Sequence, residues 1–175
     1  MDKKYQVFIS STFMDLQEER SNVAKALLEM NCIPSGMENF PAVDMEQFEF
    51  IKTIIDECDY YILIVAGRYG SISPTGISYT EMEYDYAVSK NIKVIAVVHS
   101  DTNSISKANS ETTPEIIKKL EEFTTKVKTG RVVKFYKHAN EIAGIIALGL
   151  TSTIKRYPMP GWVRGDQAAS EEILK

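Results

Sequence analysis

The sequence has 175 residues, of which 44% are hydrophobic and 25% are charged, a length and a balance typical of one globular domain. Its net charge of −4 and its lack of a lysine or arginine cluster argue against a nucleic-acid partner, because DNA and RNA binding requires a basic surface. No run approaches the ~18 consecutive apolar residues of a membrane span, and the start MDKKYQ lacks the apolar core of a signal peptide, so we expect a cytoplasmic protein with no membrane partner.

Apolar runs of strand length recur along the chain. They cover residues 5–10, 32–37, 60–67, 92–100 and 131–136, of which the second is weak. Because the apolar residues in most of these runs are continuous, the runs are typical of strands that are covered on both faces.

Helical periodicity separates these runs, because apolar residues spaced by three and four form stripes along one face of a helix. The stripes are Leu16, Val23, Leu27 and Met30; Phe48, Ile51, Ile55 and Cys58; Ile116, Leu120, Phe123 and Val127; and Ile142, Ile146, Leu150 and Ile154. A further helical stretch, residues 79–90, is rich in tyrosine and less regular.

Capping patterns predict where three of these helices begin. The patterns are Asp15 with Glu18, Asp44 with Gln47, and Thr113 followed by Pro114.

The alternation of strands and helices predicts an α/β fold in which helices cover both faces of a five-stranded parallel sheet. Right-handed crossovers favour the flavodoxin-like strand order 2-1-3-4-5. We expect residues 1–157 to form this domain. Residues 158–175 are predicted to be a linker and the start of a further helical region, because PMPGW breaks the last helix.

This topology also predicts where a ligand binds. Ligands of open parallel sheets lie beyond the carboxyl ends of the strands, at the point where the strand order reverses. In the order 2-1-3-4-5, that point brings together SSTFMD, which follows the first strand, and AGRYGSISPTG, which follows the third. The polar stretch 100–113 is predicted to be a loop that overhangs this edge of the sheet.

Two glutamates lie near the start of the helix predicted over 79–90. If Ser78 is the N-cap, Glu81 folds back to the N–H of Ser78 in a capping box, and Glu83 is left for a ligand. If Thr80 is the cap, the two glutamates exchange roles. We favour Ser78 because it adjoins the turn residues PTG, so Glu83 is the candidate catalytic carboxylate and Glu81 the runner-up. The alternative for the spare carboxylate is a solvated surface charge.

Arg20 falls on the apolar stripe of the first helix. A buried guanidinium needs a partner, and the candidates are Asp15, Asp59 and Glu83. The alternative is an arginine at the margin of the stripe whose charged end reaches water.

The chain has no recognisable metal motif. Cys32 and Cys58 are its only cysteines, and His99 and His138 its only histidines, a set without zinc-site spacing. We therefore expect two buried reduced thiols, histidines in strand ends or loops, and no metal.

Three motifs carry a family resemblance. The segments VFISSTFMDLQEER, CDYYILIVAGRYGS and GISYTEMEYDYA resemble the domain-of-unknown-function family numbered 4062, over most of residues 4–100. That family is regarded as related to Toll/interleukin-receptor (TIR) domains and to nucleoside 2-deoxyribosyltransferases, which implies a TIR-like fold. Both relatives carry a glutamate near the start of the helix after the third strand. The transferase pattern matches Glu83, Tyr84, Tyr86 and Ala87, but it has glycine where Asp85 stands.

The resemblance implies an enzyme of the NAD glycohydrolase type. Such an N-glycosidase would cleave the nicotinamide–ribose bond of NAD or a related nucleotide, as the effector domain of a bacterial antiviral defence protein. The nucleotide would be its substrate, and no cofactor is expected. The alternatives are a non-catalytic module that binds a nucleotide signal or self-assembles, and a deoxyribosyltransferase-like enzyme. The expected partners are a small nucleotide and either further copies of the chain or a further domain.

Each predicted site residue has a role in this hypothesis. Glu83 would stabilise the ribosyl cation, and the hydroxyls after the first strand would bind ribose or phosphate. The ring of Phe13 or Tyr69 would stack on a base, and Arg68 would meet phosphate. The predicted substrate-binding residues are Ser10, Ser11, Thr12, Phe13, Arg68, Tyr69 and Ser78, and the predicted supporting residues are Asp15 and Arg20.

Overall fold

Five strands form one sheet in the computed structural model of the chain, which describes residues 2–36 and 44–168. The strands are β1 (Gln6–Ser10), β2 (Ile33–Gly36), β3 (Tyr60–Val65), β4 (Lys93–His99) and β5 (Lys134–Tyr136). All neighbouring pairs are parallel, and their order is β2-β1-β3-β4-β5, so the predicted sheet and strand order are confirmed. Met37, at the end of the predicted second strand, lies outside the described residues.

Five α-helices connect and cover these strands. They are α1 (Gln17–Glu29), α2 (Met45–Asp56), α3 (Tyr79–Ser89), α4 (Pro114–Lys128) and α5 (Ile142–Arg156). Side chains alternate between the two faces of a strand, so Val7 and Ile9 of β1 pack with α1 and α5, whereas Phe8 packs with α2, α3 and α4. The sheet therefore has helices on both faces, which is a flavodoxin-like α/β fold.

Two of the predicted N-caps are confirmed by their side-chain hydrogen bonds. Asp44 accepts a bond of 2.8 Å from the N–H of Gln47, and Ser78 accepts one of 3.1 Å from the N–H of Glu81. Thr113 occupies the N-cap position before Pro114, but its side chain makes no capping bond.

The prediction that Asp15 caps the first helix is wrong. α1 begins at Gln17, so Leu16 occupies the cap position and makes no side-chain capping bond. Asp15 instead lines the cavity described below. Contacts with other segments thus place the Asp15 carboxylate at the carboxyl edge of the sheet. The local capping pattern alone would have placed it at the end of the helix.

The chain returns to the amino edge of the sheet after α5. Trp162 forms an antiparallel bridge with Lys4, and the N–H of Gly161 donates to Oδ1 of Asp59 over 3.1 Å. Part of the segment predicted as a linker is thus bonded to the start of the sheet. Residues 165–168 are helical, and the rest of the predicted helical region, residues 169–175, lies outside the described residues.

Cys32 and Cys58 are free, buried thiols, as predicted. His99 ends β4, and His138 lies in the loop after β5. In residues 2–36 and 44–168, no cluster of three or more histidine, cysteine, aspartate or glutamate side chains is placed to hold a metal ion. None of the helices in this part of the chain is long and apolar enough to span a membrane.

Candidate functional site

The loops that follow β1 and β3 meet at the carboxyl edge of the sheet. Gly70 makes this possible, because a Cβ there would lie 3.2 Å from Cγ2 of Thr12 and 3.2 Å from Oγ1 of Thr80. Its φ of +100° is also a conformation that other residues rarely adopt. The glycine thus allows the first loop, the third-strand loop and the start of α3 to come together at one point.

These segments enclose a cavity of about 730 Å³, a size typical of small-molecule sites. The predicted site residues that line it are Ser11, Thr12, Phe13, Asp15, Arg20, Arg68 and Glu83. Four other candidates, Ser10, Tyr69, Ser78 and Glu81, lie behind this lining. Apolar residues that sequence reasoning had not singled out, Ile9, Ile72 and Ile116, complete much of the wall.

Glu83 is the buried carboxylate of this cavity. Its side chain is 7% exposed, and its Oε2 accepts a hydrogen bond of 3.1 Å from the Ser10 hydroxyl. Burial raises its pKa from the usual 4.5 to about 7, against the lowering effects of the Ser10 hydrogen bond and the positive charge of Arg20. A group with this pKa changes charge near neutral pH, so a charged ligand in the cavity can decide its protonation state.

Arg20 brings a buried positive charge to the same wall. It is 4% exposed, and its guanidinium donates to Oγ of Ser11 over 2.9 Å and to the carbonyl of Ile9 over 3.1 Å. This burial rules out the snorkelling alternative. Among the predicted partners of Arg20, Glu83 is affected by its positive charge, which lowers the pKa of Glu83. Asp59 instead accepts N–H groups at the opposite, amino edge of the sheet.

Ser10 has a different position from the other hydroxyls of the SSTF segment. It is 1% exposed and reaches Glu83, whereas Ser11 and Thr12 line the cavity. Since side chains alternate along a strand, Ser10 shares the α3-facing side of β1 with Phe8. That alternation was the sequence signal that could have separated Ser10 from its neighbours.

Tyr69 and Glu81 belong to a network behind the cavity. The Tyr69 hydroxyl donates to Oε1 of Glu81 over 2.6 Å and accepts the N–H of Ser78 over 3.2 Å. The prediction that Glu81 folds back to the N–H of Ser78 is therefore wrong, because the Tyr69 hydroxyl occupies that place. Glu81 also forms an ion pair of 2.7 Å with Lys126.

Of the two rings predicted to stack on a base, Phe13 and Tyr69, this network leaves Phe13 at the cavity wall, which Tyr79 also lines. Tyr69 is only 2% exposed and does not line the cavity, whereas Phe13 does. The ring of Phe13 also lies 5.9 Å from the guanidinium carbon of Arg20, which helps to hold the ring at the wall.

Glu111 is a site residue that sequence reasoning missed. It belongs to the polar stretch after β4, which does overhang the edge as predicted: the N–H of Glu111 donates to the carbonyl of Gly67 over 2.8 Å. Its carboxylate accepts the N–H of Tyr69 over 2.9 Å and lies 3.9 Å from Nε of Arg68. Arg68 further donates to the carbonyl of Ala108 over 3.1 Å, so this loop and the third-strand loop form one rim.

Two polar atoms of the first loop make no hydrogen bond within 3.5 Å in the described part of the chain, although the Thr12 hydroxyl is close enough to the Asp15 carboxyl to lower its pKa. They are Oγ1 of Thr12 and Oδ2 of Asp15, both buried. Burial also raises the pKa of Asp15. Because buried polar atoms normally have hydrogen-bond partners, these two are the groups in the first loop best suited to bind a ligand hydroxyl.

The fold and the cavity define a flavodoxin-like α/β domain with a candidate ligand site at its topological switch point. The chain belongs to the family described as "Domain of unknown function (DUF4062)", which matches residues 6–151. No curated protein matches the sequence. Among solved structures, the chain is similar in fold to a diflavin flavoprotein A3 from Nostoc sp., with 11% identity over 89% of this chain and 97% of that chain and a TM-score of 0.44.

Proposed function

We propose that this domain hydrolyses the N-glycosidic bond between nicotinamide and ribose in NAD or in a related nucleotide. The observation that carries this proposal is the position of Glu83. Its buried carboxylate lies in the cavity wall and accepts a hydrogen bond of 3.1 Å from the Ser10 hydroxyl. A fixed carboxylate in a site with little water stabilises a developing positive charge more strongly than one in water does.

The bond from the ribose carbon to the nicotinamide nitrogen breaks, and its electron pair leaves with neutral nicotinamide. The ribosyl carbon then carries the positive charge of an oxocarbenium-like state, which faces Glu83. Water attacks this carbon, and one proton is released. The Glu83 carboxylate, whose pKa is about 7, is suited to accept that proton from the attacking water.

The charge of the substrate favours the active form of Glu83. The ring of bound NAD carries a positive charge, and an opposite charge nearby lowers the pKa of a carboxyl group. Substrate binding thus drives Glu83 toward the ionised state that the reaction requires. The positive charge of Arg20 also lowers the pKa of Glu83, and it does so before the substrate binds.

Other residues of the lining are assigned to substrate binding. Oγ1 of Thr12 and Oδ2 of Asp15, both buried at the cavity wall, would bind ribose hydroxyls, and the Phe13 ring would stack on the leaving base. The Arg68 side chain, 43% exposed, would meet a phosphate group. A reaction that consumes NAD suits an effector of antiviral defence within a longer protein, the role that the resemblance to TIR domains suggests.

Incubation of the full chain with NAD, with free nicotinamide measured by mass spectrometry, tests the proposal. Glu83→Gln should lower the rate of nicotinamide release by about 100-fold or more. The matched control is Asp85→Asn, which makes the same carboxylate-to-amide change on α3, at a half-exposed residue paired with Lys126, and should keep the wild-type rate within about twofold.

The remaining outcomes point to the other candidate functions. Equal rates for wild type and Glu83→Gln would reject Glu83 as the catalytic residue. Tight NAD binding without any turnover would favour a non-catalytic nucleotide-binding module. Base exchange between deoxynucleosides in the same assay would favour a deoxyribosyltransferase, although the departure from that pattern, Asp85, lies at the surface and outside the cavity lining.

A further inference from the structure

A second cavity of about 890 Å³ lies beside the first, between the end of β4, the polar loop after it and α4. The proposed reaction makes no use of it. Its apolar residues come from all three elements and include Val98, Ile105, Ile117 and Leu120. An apolar surface of this kind suits a flat, uncharged ring such as a nucleobase.

The polar part of the same cavity carries hydroxyls, one amide, amines and two carboxylates. The hydroxyl and amide side chains include Ser100, Thr102, Asn103, Ser110, Thr112 and Thr124, which can bind a ribose and the edge of a base. Lys107 and Lys128 add two positive charges, and Glu111 and Glu121 add two negative ones. The lysine amines are groups that bind phosphate as point charges. Together these features match a nucleoside monophosphate.

A thin wall separates the two cavities, and Glu111 lines both of them. The wall is thin at Gly67, where a Cβ would lie only 2.6 Å from the carbonyl oxygen of Asn109. Arg68 lines the first cavity and donates to the carbonyl of Ala108, and Lys107, next to Ala108, lines the second cavity. One cationic side chain thus lies on each side of the wall.

We propose that the second cavity binds the nucleoside monophosphate half of a dinucleotide, while the nicotinamide riboside half occupies the first cavity. The diphosphate would cross the wall between Arg68 and Lys107, where these two cations, one of them 3.9 Å from the Glu111 carboxylate, would bind its oxygens. This inference rests on the proposed function and narrows the substrate class from nucleotides in general to dinucleotides such as NAD.

The test fills the second cavity with a large side chain and compares the activity on a dinucleotide with the activity on a mononucleotide. Thr124→Trp places a large ring in the cavity from α4, and Glu122→Trp places the same ring on an exposed position of α4 outside it. Calorimetry measures the binding of AMP, which requires no turnover. In parallel, kcat/KM is measured for NAD and for nicotinamide mononucleotide, which lacks the AMP half.

Thr124→Trp should weaken AMP binding and lower kcat/KM for NAD by about tenfold or more, and kcat/KM for nicotinamide mononucleotide should stay within about twofold. Glu122→Trp should change none of the three. Lys107→Ala, a surface change that keeps the fold, should weaken AMP binding several-fold. Unchanged AMP binding in both Thr124→Trp and Lys107→Ala would overturn the proposal, as would an equal loss of activity on the two substrates in Thr124→Trp.

The two proposals can fail separately in this design. If wild type releases no nicotinamide but Thr124→Trp abolishes AMP binding, the subsite stands and the hydrolysis is rejected. If wild type cleaves NAD and nicotinamide mononucleotide with equal efficiency and binds no AMP, the hydrolysis stands and the subsite is overturned.

Discussion

The Ser10 hydroxyl donates a hydrogen bond of 3.1 Å to Oε2 of Glu83. This bond joins the last residue of β1 to Glu83, which lines the first cavity from α3. Both side chains are buried, so water does not compete strongly for the bond. The orientation and the charge of Glu83 therefore depend on Ser10.

Replacement of Ser10 by alanine should raise the pKa of Glu83 above its value of about 7, because the hydrogen bond that favours the carboxylate is lost. The midpoint can be followed by NMR in protein labelled with ¹³C at the glutamate carboxyl carbon. The resonance is assigned by its absence from Glu83→Gln. A midpoint at or below that of wild type would contradict the role given to the Ser10 bond.

The same burial predicts how stability depends on pH. Folded Glu83 keeps its proton up to about pH 7, whereas the unfolded group releases it near 4.5. The folded state therefore holds more protons between these values, and the free energy of unfolding of wild type falls as the pH rises through this window. Glutamine at position 83 removes this titration. The Glu83→Gln variant should thus gain about 3 kcal/mol relative to wild type between pH 4.5 and pH 8.

Urea denaturation of wild type and Glu83→Gln at pH 4.5, 6 and 8 measures this gain. Asp85→Asn is the control for the carboxylate-to-amide change, made at a half-exposed position of the same helix. A Glu83→Gln difference that stays constant across the three pH values would mean that Glu83 does not titrate near neutrality in the folded protein.

The fold and the place of the candidate site could be predicted from the sequence, because both follow from the order of strands and helices, which the apolar pattern indicates. The continuous runs of β1, β3 and β4 are buried along most of their length, and the parallel order then brings the loops after β1 and β3 to one edge. The Ser78 cap is confirmed, since a cap is a local interaction, and of the two glutamates near it only Glu83 lines the cavity.

The individual roles at the site could not be predicted in the same way. Tyr69 looked suited to stacking, yet it is buried under the loop after β4 and takes the capping position expected of Glu81. Asp15 has a capping pattern but faces the cavity. These outcomes depend on contacts between segments far apart in the chain, such as Tyr69 with Glu111, which neither periodicity nor capping patterns encode.

Removal of the Tyr69 hydroxyl should destabilise the protein by about 1–3 kcal/mol, because Oε1 of Glu81 and the N–H of Ser78 each lose a partner in a buried place. Urea denaturation of Tyr69→Phe at pH 7 measures the loss. Tyr86→Phe is the matched control: its hydroxyl donates to Asp56 at the surface, and the change should stay within about 0.5 kcal/mol. Equal effects of the two substitutions would argue against the buried network.

Gly67→Ala should destabilise the wall between the two cavities. A Cβ at residue 67 would lie 2.6 Å from the backbone oxygen of Asn109, so the loop after β4 must move, at a cost of about 1–3 kcal/mol. Gly144→Ala in α5 makes the same chemical change where nothing lies within 4 Å of the new atom, and it should stabilise the protein by about 0.5–1 kcal/mol, since alanine favours helix over glycine. Thermal unfolding of both variants should therefore move the Tm in opposite directions, and a Gly67→Ala variant as stable as wild type would show that the loop is not packed against Gly67.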